Sequence, residues 1–435
     1  MKSISIPLVG YCRKARLSKV KFKLTKSERS WILYDVGNSA FTLLIATIMP
    51  IYFNYLAGNA GLSSVDYLAY WGYAASIATL IVAVAGPILG TLADTKGYKK
   101  PIFVMVLLVG TLSCISLGIA KQWLIFLIIY IIAKVGYSAS LVFYDSMLTD
   151  VTTEERMDYV SSQSFAWGYI GSCIPFILCL LLVLGADFLG ISMELAMGIS
   201  FFVIAIWWFA LALPLLRGYE QKHYVEKKHH AVRESFARLR RTFHNIRKEK
   251  KIFIFLLAFF FYIDGVYTII DMATAYGSAL GLDSTGLLLA LLLTQIVAFP
   301  FAILFGRLAG RHTAGKLIIF CIAAYFGIAI FATFLTTQMQ FWILAVLVGM
   351  FQGGIQALSR SYFAKIIPAE QSGEYFGLFD ICGKGASFMG TTVVGLVSQA
   401  TGNVNLGVGV IALLFVIGMI FFCLALKANN AECEE

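Results

Sequence analysis

Six charged side chains interrupt otherwise apolar stretches of this chain: Asp35, Lys134, Asp264, Asp271, Asp380 and Lys384. Charge inside lipid is costly, so such residues face a bundle interior or a water-filled cavity and mark solute or ion paths. Asp264 lies about twelve residues into its stretch, hence about 18 Å deep at the helical rise. Thr268 and Asp271 follow at i+4 and i+7 on the same helical face. A carboxylate there can hold a cation, an ammonium group or a proton; a purely structural hydrogen-bonding role is the alternative. Lys134 has no acid one helical turn away, so it needs a partner on another helix, an anionic solute or water. Asp380 precedes Lys384 by four residues, the favourable order for a helical ion pair. That pair reads equally as a self-satisfied bridge or as part of a site. Gln352 and Gln356 share a face, and amides orient polar ligands without fixing charge. Asp35 shares a face with Asn38 and Thr42 near the edge of its stretch, which suits a gate as well as a solute contact. Trp167 and Tyr169 suit a cavity lining or plain aromatic packing. Depth and opposite sign predict that Asp264 and Lys134 face one cavity, where a zwitterion bridges them, ammonium to Asp264 and carboxylate to Lys134.

These residues must be carried by membrane-spanning helices. The chain is 59% apolar and only 13% charged, with a mean hydropathy of +0.81, outside the range of soluble domains. About 20 apolar residues cross a bilayer core as a helix. Twelve stretches qualify: 31–57, 68–93, 101–120, 123–145, 161–184, 192–216, 252–279, 285–309, 314–335, 340–363, 374–399 and 405–427. They are too long, and too poor in strict alternation, for barrel strands. Of the 34 basic residues, all but Lys121, Lys134 and Lys384 fall in the termini and alternate connections. This count places Lys99, Lys100 and Arg360 in connections. The asymmetry predicts that both termini are cytoplasmic. The net charge of +10 then serves orientation and contact with anionic inner-leaflet lipids. Charge divided among short loops makes a poor nucleic-acid footprint, and none is expected to bind.

The expected organisation is a basic cytoplasmic segment 1–30, a six-helix unit 31–216, a basic linker 217–251, a second six-helix unit 252–427 and a short cytoplasmic tail 428–435. Thr25-x-x-Glu28 is a capping box ahead of the first span. In the linker, Val232, Phe236, Leu239, Phe243 and Ile246 recur at helical steps among arginines. This predicts an amphipathic helix on the inner leaflet or against the bundle's end. The eight cysteines lack metal or disulfide spacing, and His229-His230 reads as solvated. No metal, cofactor or ATP-binding loop is expected, and no constellation suits an enzyme.

The halves echo each other. Tyr34-Asp35 is answered by Tyr262-Ile263-Asp264, the segment Gly136–Tyr144 by Gly354–Tyr362, and Gly90-Thr91-Leu92-Ala93-Asp94 by Gly306-Arg307-Leu308-Ala309-Gly310. The run from Gly90 through Asp94, Lys96, Gly97, Lys99 and Lys100 resembles the signature loop of the major facilitator superfamily. Gly90 permits close helix contact, Gly97 a positive-φ turn, and Asp94 can meet a neighbouring helix N-terminus or a basic partner. The second copy has Gly310 where the acid would stand, so any latch is asymmetric. Trp31–Phe41, Asp264-Gly265-Val266-Tyr267-Thr268, Gly353-Gly354-Ile355-Gln356-Ala357-Leu358-Ser359-Arg360-Ser361 and Tyr375–Asp380 with Lys384 resemble the "unknown major facilitator" branch. That branch is related to the autophagy-associated vacuolar amino-acid effluxers of fungi. Val36 and Gly37 depart from its opening motif.

The resemblance implies an all-α polytopic membrane protein with twelve transmembrane helices in two six-helix pseudo-repeats. It implies a secondary active transporter of a small polar solute, with amino acids and export transferring from the fungal relatives. It further implies a monomer in the cell membrane, working by rocking of two halves. Asp35, Gly90, Asp94, Gly97, Lys99, Lys100 and Arg360 would form the cytoplasmic gate. Asp264, Thr268, Asp271, Lys134, Lys384, Asp380, Gln352, Gln356 and Asn38 would form the solute or proton site. A receptor that binds without turnover is the alternative, with the 217–251 linker as its output.

Overall fold

The computed structural model describes residues 23–226, 236–242, 246 and 249–431. Most of the basic segment 1–30 lies outside them, as do Val232, Arg233, Phe243, Arg247 and His229-His230. The elements named among the described residues are helical: α1 Lys26–Ala46, α2 Ile48–Asn59, α3 Ser64–Ala93, α4 Lys99–Leu117, α5 Trp123–Ser146, α6 Leu148–Val151, α7 Met157–Leu184 and α8 Met193–Gly218, then α9 Lys250–Ala279, α10 Ser284–Leu308, α11 Ala314–Ala332, α12 Gln338–Ile366, α13 Ser372–Thr401, α14 Val404–Gly409 and α15 Ile411–Ala431. Eleven spans among the described residues are long and apolar enough to cross a membrane. The count treats α1–α2 as one span broken at Thr47, and α14–α15 as one broken at Val410. The expected eleventh span, α13, is not among them. It is 30 residues long, and the side chains of residues 385–388 in its middle lie outside the described ones.

Local chemistry sets the helix starts. Thr25 and Glu28 form the reciprocal capping box, Thr25 N–H donating to Glu28 at 2.7 Å. Glu28 is also clasped by Arg156 at 2.7 Å. Asp283 caps α10, and Thr337 with Gln340 forms a second capping box on α12. Gly97 turns the chain between α3 and α4 at a φ of 78°, which a side chain would resist.

Within the first half α1 packs on α7 and α8, and α4 on α5; within the second, α9 packs on α15 and α10 on α12. The sequence echo has a structural counterpart. Tyr34 of α1 donates to Ser140 of α5 at 2.6 Å, and Tyr262 of α9 meets Ser359 of α12 at 2.7 Å. Aromatic residues fill each interior: Trp31, Tyr34, Phe41 and Trp208 on one side, Phe255, Phe259, Tyr262 and Phe422 on the other, all buried. The outward faces stay apolar, with Leu80, Leu112, Leu181 and Phe334 exposed. Exposed apolar surface on this scale suits lipid and not water. The halves meet through α3 on α13, α7 on α10 and α12, and α5 on α13.

Candidate functional site

The end of the bundle that carries Lys96, Lys100, Arg156, Arg307 and Arg311 is the basic end. There Asp94, fully buried at the close of α3, reaches across to the start of α13. Its Oδ1 accepts from Gly373 N–H at 2.7 Å and its Oδ2 from Glu374 N–H at 2.9 Å. A helix N-terminus offers unsatisfied amides and a positive dipole end, so a carboxylate binds it well. Gly90 lies so close to the Gly373 carbonyl that a Cβ would overlap it. Lys99, also fully buried, stands 3.7 Å from Asp94 and 3.8 Å from Asp150, and donates to Ser372 Oγ at 2.9 Å. Lys100 follows it, half-buried.

The linker straps this arrangement. Val225 N–H donates to Asp94 O at 2.8 Å, and Gly97 N–H to Gln221 Oε1 at 3.0 Å. His223 Nδ1 lies 3.1 Å from Asp150, which raises the imidazole pKa above its usual value. Further on, Arg238 bonds Glu374 at 3.1 Å and the Thr91 carbonyl. Leu239 is buried while Phe236 stays exposed. This part of the amphipathic segment therefore packs against the bundle's end.

Arg360 corrects the sequence reading. It is not a connection residue but sits inside α12, 3% exposed. The apolar run ends beside it, and sequence alone does not show that a charge is paired. Its Nη1 donates to Asp145 at 2.9 Å and its Nε to Ser161 Oγ at 3.0 Å, both across the interface. Asp35 lies within electrostatic reach and accepts from Ser164. Asn38 is buried one turn along. Lys365, also counted in a connection, closes the last turn of α12 on Asp158 at 2.5 Å.

Deeper in, Asp380 and Lys384 pair at 2.6 Å, and Lys384 reaches the Ser138 carbonyl of the opposite half at 3.5 Å. Lys134 lies within electrostatic reach of Asp271 and Lys384. Tyr137 meets Thr42 at 2.6 Å, and Tyr267 lies near Asp145, Asp380 and Asp271. Gln352 is buried with its Nε2 unpartnered, and Gln356 is half-buried. The expected opposition of Lys134 and Asp264 is replaced by Lys134 and Asp271. Asp264, fully buried, is turned into the packing of α9 on α13. Its Oδ1 accepts from Gly390 N–H at 2.9 Å and from Thr268 at 3.2 Å, and its Oδ2 has no partner. Asp264 and Asp271 share a face, so periodicity could not tell which one the neighbouring helix covers.

Sequence reasoning missed Asp145, Asp150 and Asp158. Their clustering around the one basic residue of that connection, Arg156, was the available signal. It also missed Glu374, Tyr267 and the inward turn of Arg238.

The model of the "Vacuole effluxer Atg22 like" family matches residues 25–155 and 149–434. The chain belongs to that family. A Bacillus subtilis (strain 168) protein described as an uncharacterized MFS-type transporter, YxiO, is 42% identical over 418 residues, covering 95% of this chain and 98% of its own. Autophagy-related protein 22-1 of Aspergillus fumigatus is 25% identical over 287 residues, 59% of this chain and 46% of its own. Among solved structures, the human organic anion transporter MFSD10 superposes with a TM-score of 0.68 at 12% identity, over 92% of this chain and 100% of that one. This Atg22-like chain is thus a multi-pass membrane transporter with the major facilitator fold.

Proposed function

We propose that this transporter is a secondary active exporter of a small zwitterionic solute, of the amino-acid class, working by rocking of two six-helix halves. The reading has twelve spans, with α13 as the eleventh. The units are 31–216 and 252–427, joined by the 217–251 linker between two cytoplasmic termini, and the protein is a monomer in the cell membrane. The basic end is cytoplasmic, held there by the bias of Lys and Arg and by anionic inner-leaflet lipid. The carrying observation is where the halves touch. Asp94, Lys99, Arg360 and Lys365 all cross between halves at the basic end. Farther along α13 from that end, Lys384 reaches the Ser138 carbonyl of the other half. A bundle closed at one end over a layer of opposite charges is built for alternating access.

In that layer Lys134 and Lys384 take the solute carboxylate, and Asp271 with Asp380 takes the ammonium. Gln352, Gln356 and Asn38 orient its polar atoms. Asp264 carries the coupling proton on Oδ2, its Oδ1 pinned by Gly390 and Thr268. Export is taken from the effluxer relatives of the family.

Purified protein in liposomes, loaded with labelled amino acids and given a pH gradient, tests this. Lys134→Gln and Asp271→Asn are expected to lower flux at least tenfold, and Asp264→Asn to uncouple flux from the gradient. Flux unchanged in all three overturns the assignment.

A further inference from the structure

The guanidinium of Arg360 sits in a socket built wholly by the other half. It lies 4.7 Å from the Trp31 ring, 5.5 Å from Tyr144 and 4.4 Å from Phe165. Asp145 accepts at 2.9 Å, and Ser161 accepts through both its hydroxyl, at 3.0 Å, and its carbonyl, at 3.1 Å. Three π faces and a carboxylate around one position make a strong site for a cation.

Two of its aromatic walls are held from within their own half. Trp31 stacks on Tyr144 at 4.4 Å and donates its Nε1–H to the Tyr144 carbonyl at 2.8 Å. The Tyr144 hydroxyl is in turn held by Ser164 at 2.5 Å. These bonds lie inside the first half, on α1, α5 and α7. Arg360 enters from α12 of the second half.

We propose that this socket is a binding site for a guanidinium or primary ammonium group of a solute, and that Arg360 is the plug that displaces it. The proposal rests on the rocking cycle above. When the basic end opens, α12 withdraws and takes the guanidinium with it. Asp145, already 22% exposed in its side chain, is then left with three aromatic faces and no cation. A carboxylate flanked by aromatic faces attracts a cation, so the open state selects a cationic group. On closure, Arg360 returns and releases that group toward the central layer.

The test uses the purified full chain and simple probes. Methylguanidinium and butylammonium are the cations, and N-methylurea is the neutral isostere of the first. Thermal unfolding is followed as each probe is titrated into wild type, Arg360→Ala and Arg360→Gln. The emptied socket is expected to give saturable stabilisation by the cations, at concentrations at least tenfold lower than for wild type. N-methylurea is expected to give none. Asp145→Asn placed in the Arg360→Gln background is expected to weaken cation binding at least tenfold. The relative strength of the two cations tells whether guanidinium or ammonium fits better. Equal saturation in wild type and both Arg360 variants, or equal stabilisation by N-methylurea, overturns the proposal. Cation binding by the variants with no solute flux through wild-type protein would sink the transport cycle and leave the socket standing. Flux with no cation binding in either variant would do the reverse.

Discussion

Two contacts between the halves occupy equivalent places in the internal echo and are built differently. One joins the end of α3 to the start of α13. There Gly90 touches the Gly373 backbone, Asp94 bonds two amides, and the linker straps over both. The other joins the end of α10 to α7. There Gly306 lies against Ser162, where an added Cβ would come within 2.6 Å of the Ser162 Cβ. Trp167 meets Phe299 edge-on at 5.3 Å, and Gly310 replaces the acid. A carboxylate on a helix N-terminus is directional and is lost within a short displacement. Small-residue packing tolerates sliding. We infer that α3–α13 is the catch of the closed basic end and α7–α10 is the bearing.

The largest effect is expected at the catch. Asp94→Ala leaves two buried amides without an acceptor and deprives Lys99 of one of its two carboxylates. Losing one partner of such a buried pair costs about 3–5 kcal/mol. Flux is expected to fall more than tenfold, while a cysteine placed on the Asp94-facing turn of α13 gains reactivity toward a polar thiol reagent. Overpacking comes next. Gly90→Val and Gly306→Val each insert bulk into a tight contact, at about 1–3 kcal/mol. The Gly90 change is expected to cost more, because it meets a backbone carbonyl that cannot turn aside. Equal shifts in thermal stability would remove the distinction between catch and bearing.

Arg238→Ala sharpens the comparison more gently. It removes a partly exposed bond to Glu374 and one to the Thr91 carbonyl, at about 1 kcal/mol. Faster proteolysis of the linker is the expected readout. The smallest effect is a pH dependence at His223. Its hydrogen bond to Asp150 raises the folded-state pKa above the ordinary 6.5, and Glu370 and Lys99 also face it. A raised histidine pKa stabilises fully below the unfolded value and is lost as pH rises through the folded value. The strap is therefore expected to become protease-sensitive on the alkaline side of 6.5, and His223→Ala to flatten that profile.

Most of the fold was legible in the chain. Apolar run lengths place the spans, and Thr25 with Glu28 marks the first helix start. The spacing from Gly90 to Gly97 forecasts an acid at a helix end beside a tight turn. Side-chain partnership was less legible. Arg360 and Lys365 looked like loop charges because the acids that hold them, Asp145 and Asp158, come more than 200 residues earlier. Asp264 and Asp271 are equivalent by periodicity. Only the approach of Gly390, at which any Cβ would collide with Asp264 and Thr268, separates a sequestered acid from one within reach of Lys134. Such distinctions depend on which helix covers which face, and one strand of sequence does not encode that locally.

The central claim is that Asp94 holds the basic end shut through α13. The direct test is pulsed electron–electron distance measurement between spin labels in liposomes. One pair sits at exposed Lys96 and Glu370 across the catch, the other at exposed Glu155 and His312 across the bearing. Wild type is expected to show short, narrow distances for both pairs. Asp94→Asn is expected to add a longer population at the catch, with a smaller change at the bearing. Distances at the catch that stay short and narrow in Asp94→Asn would contradict the account.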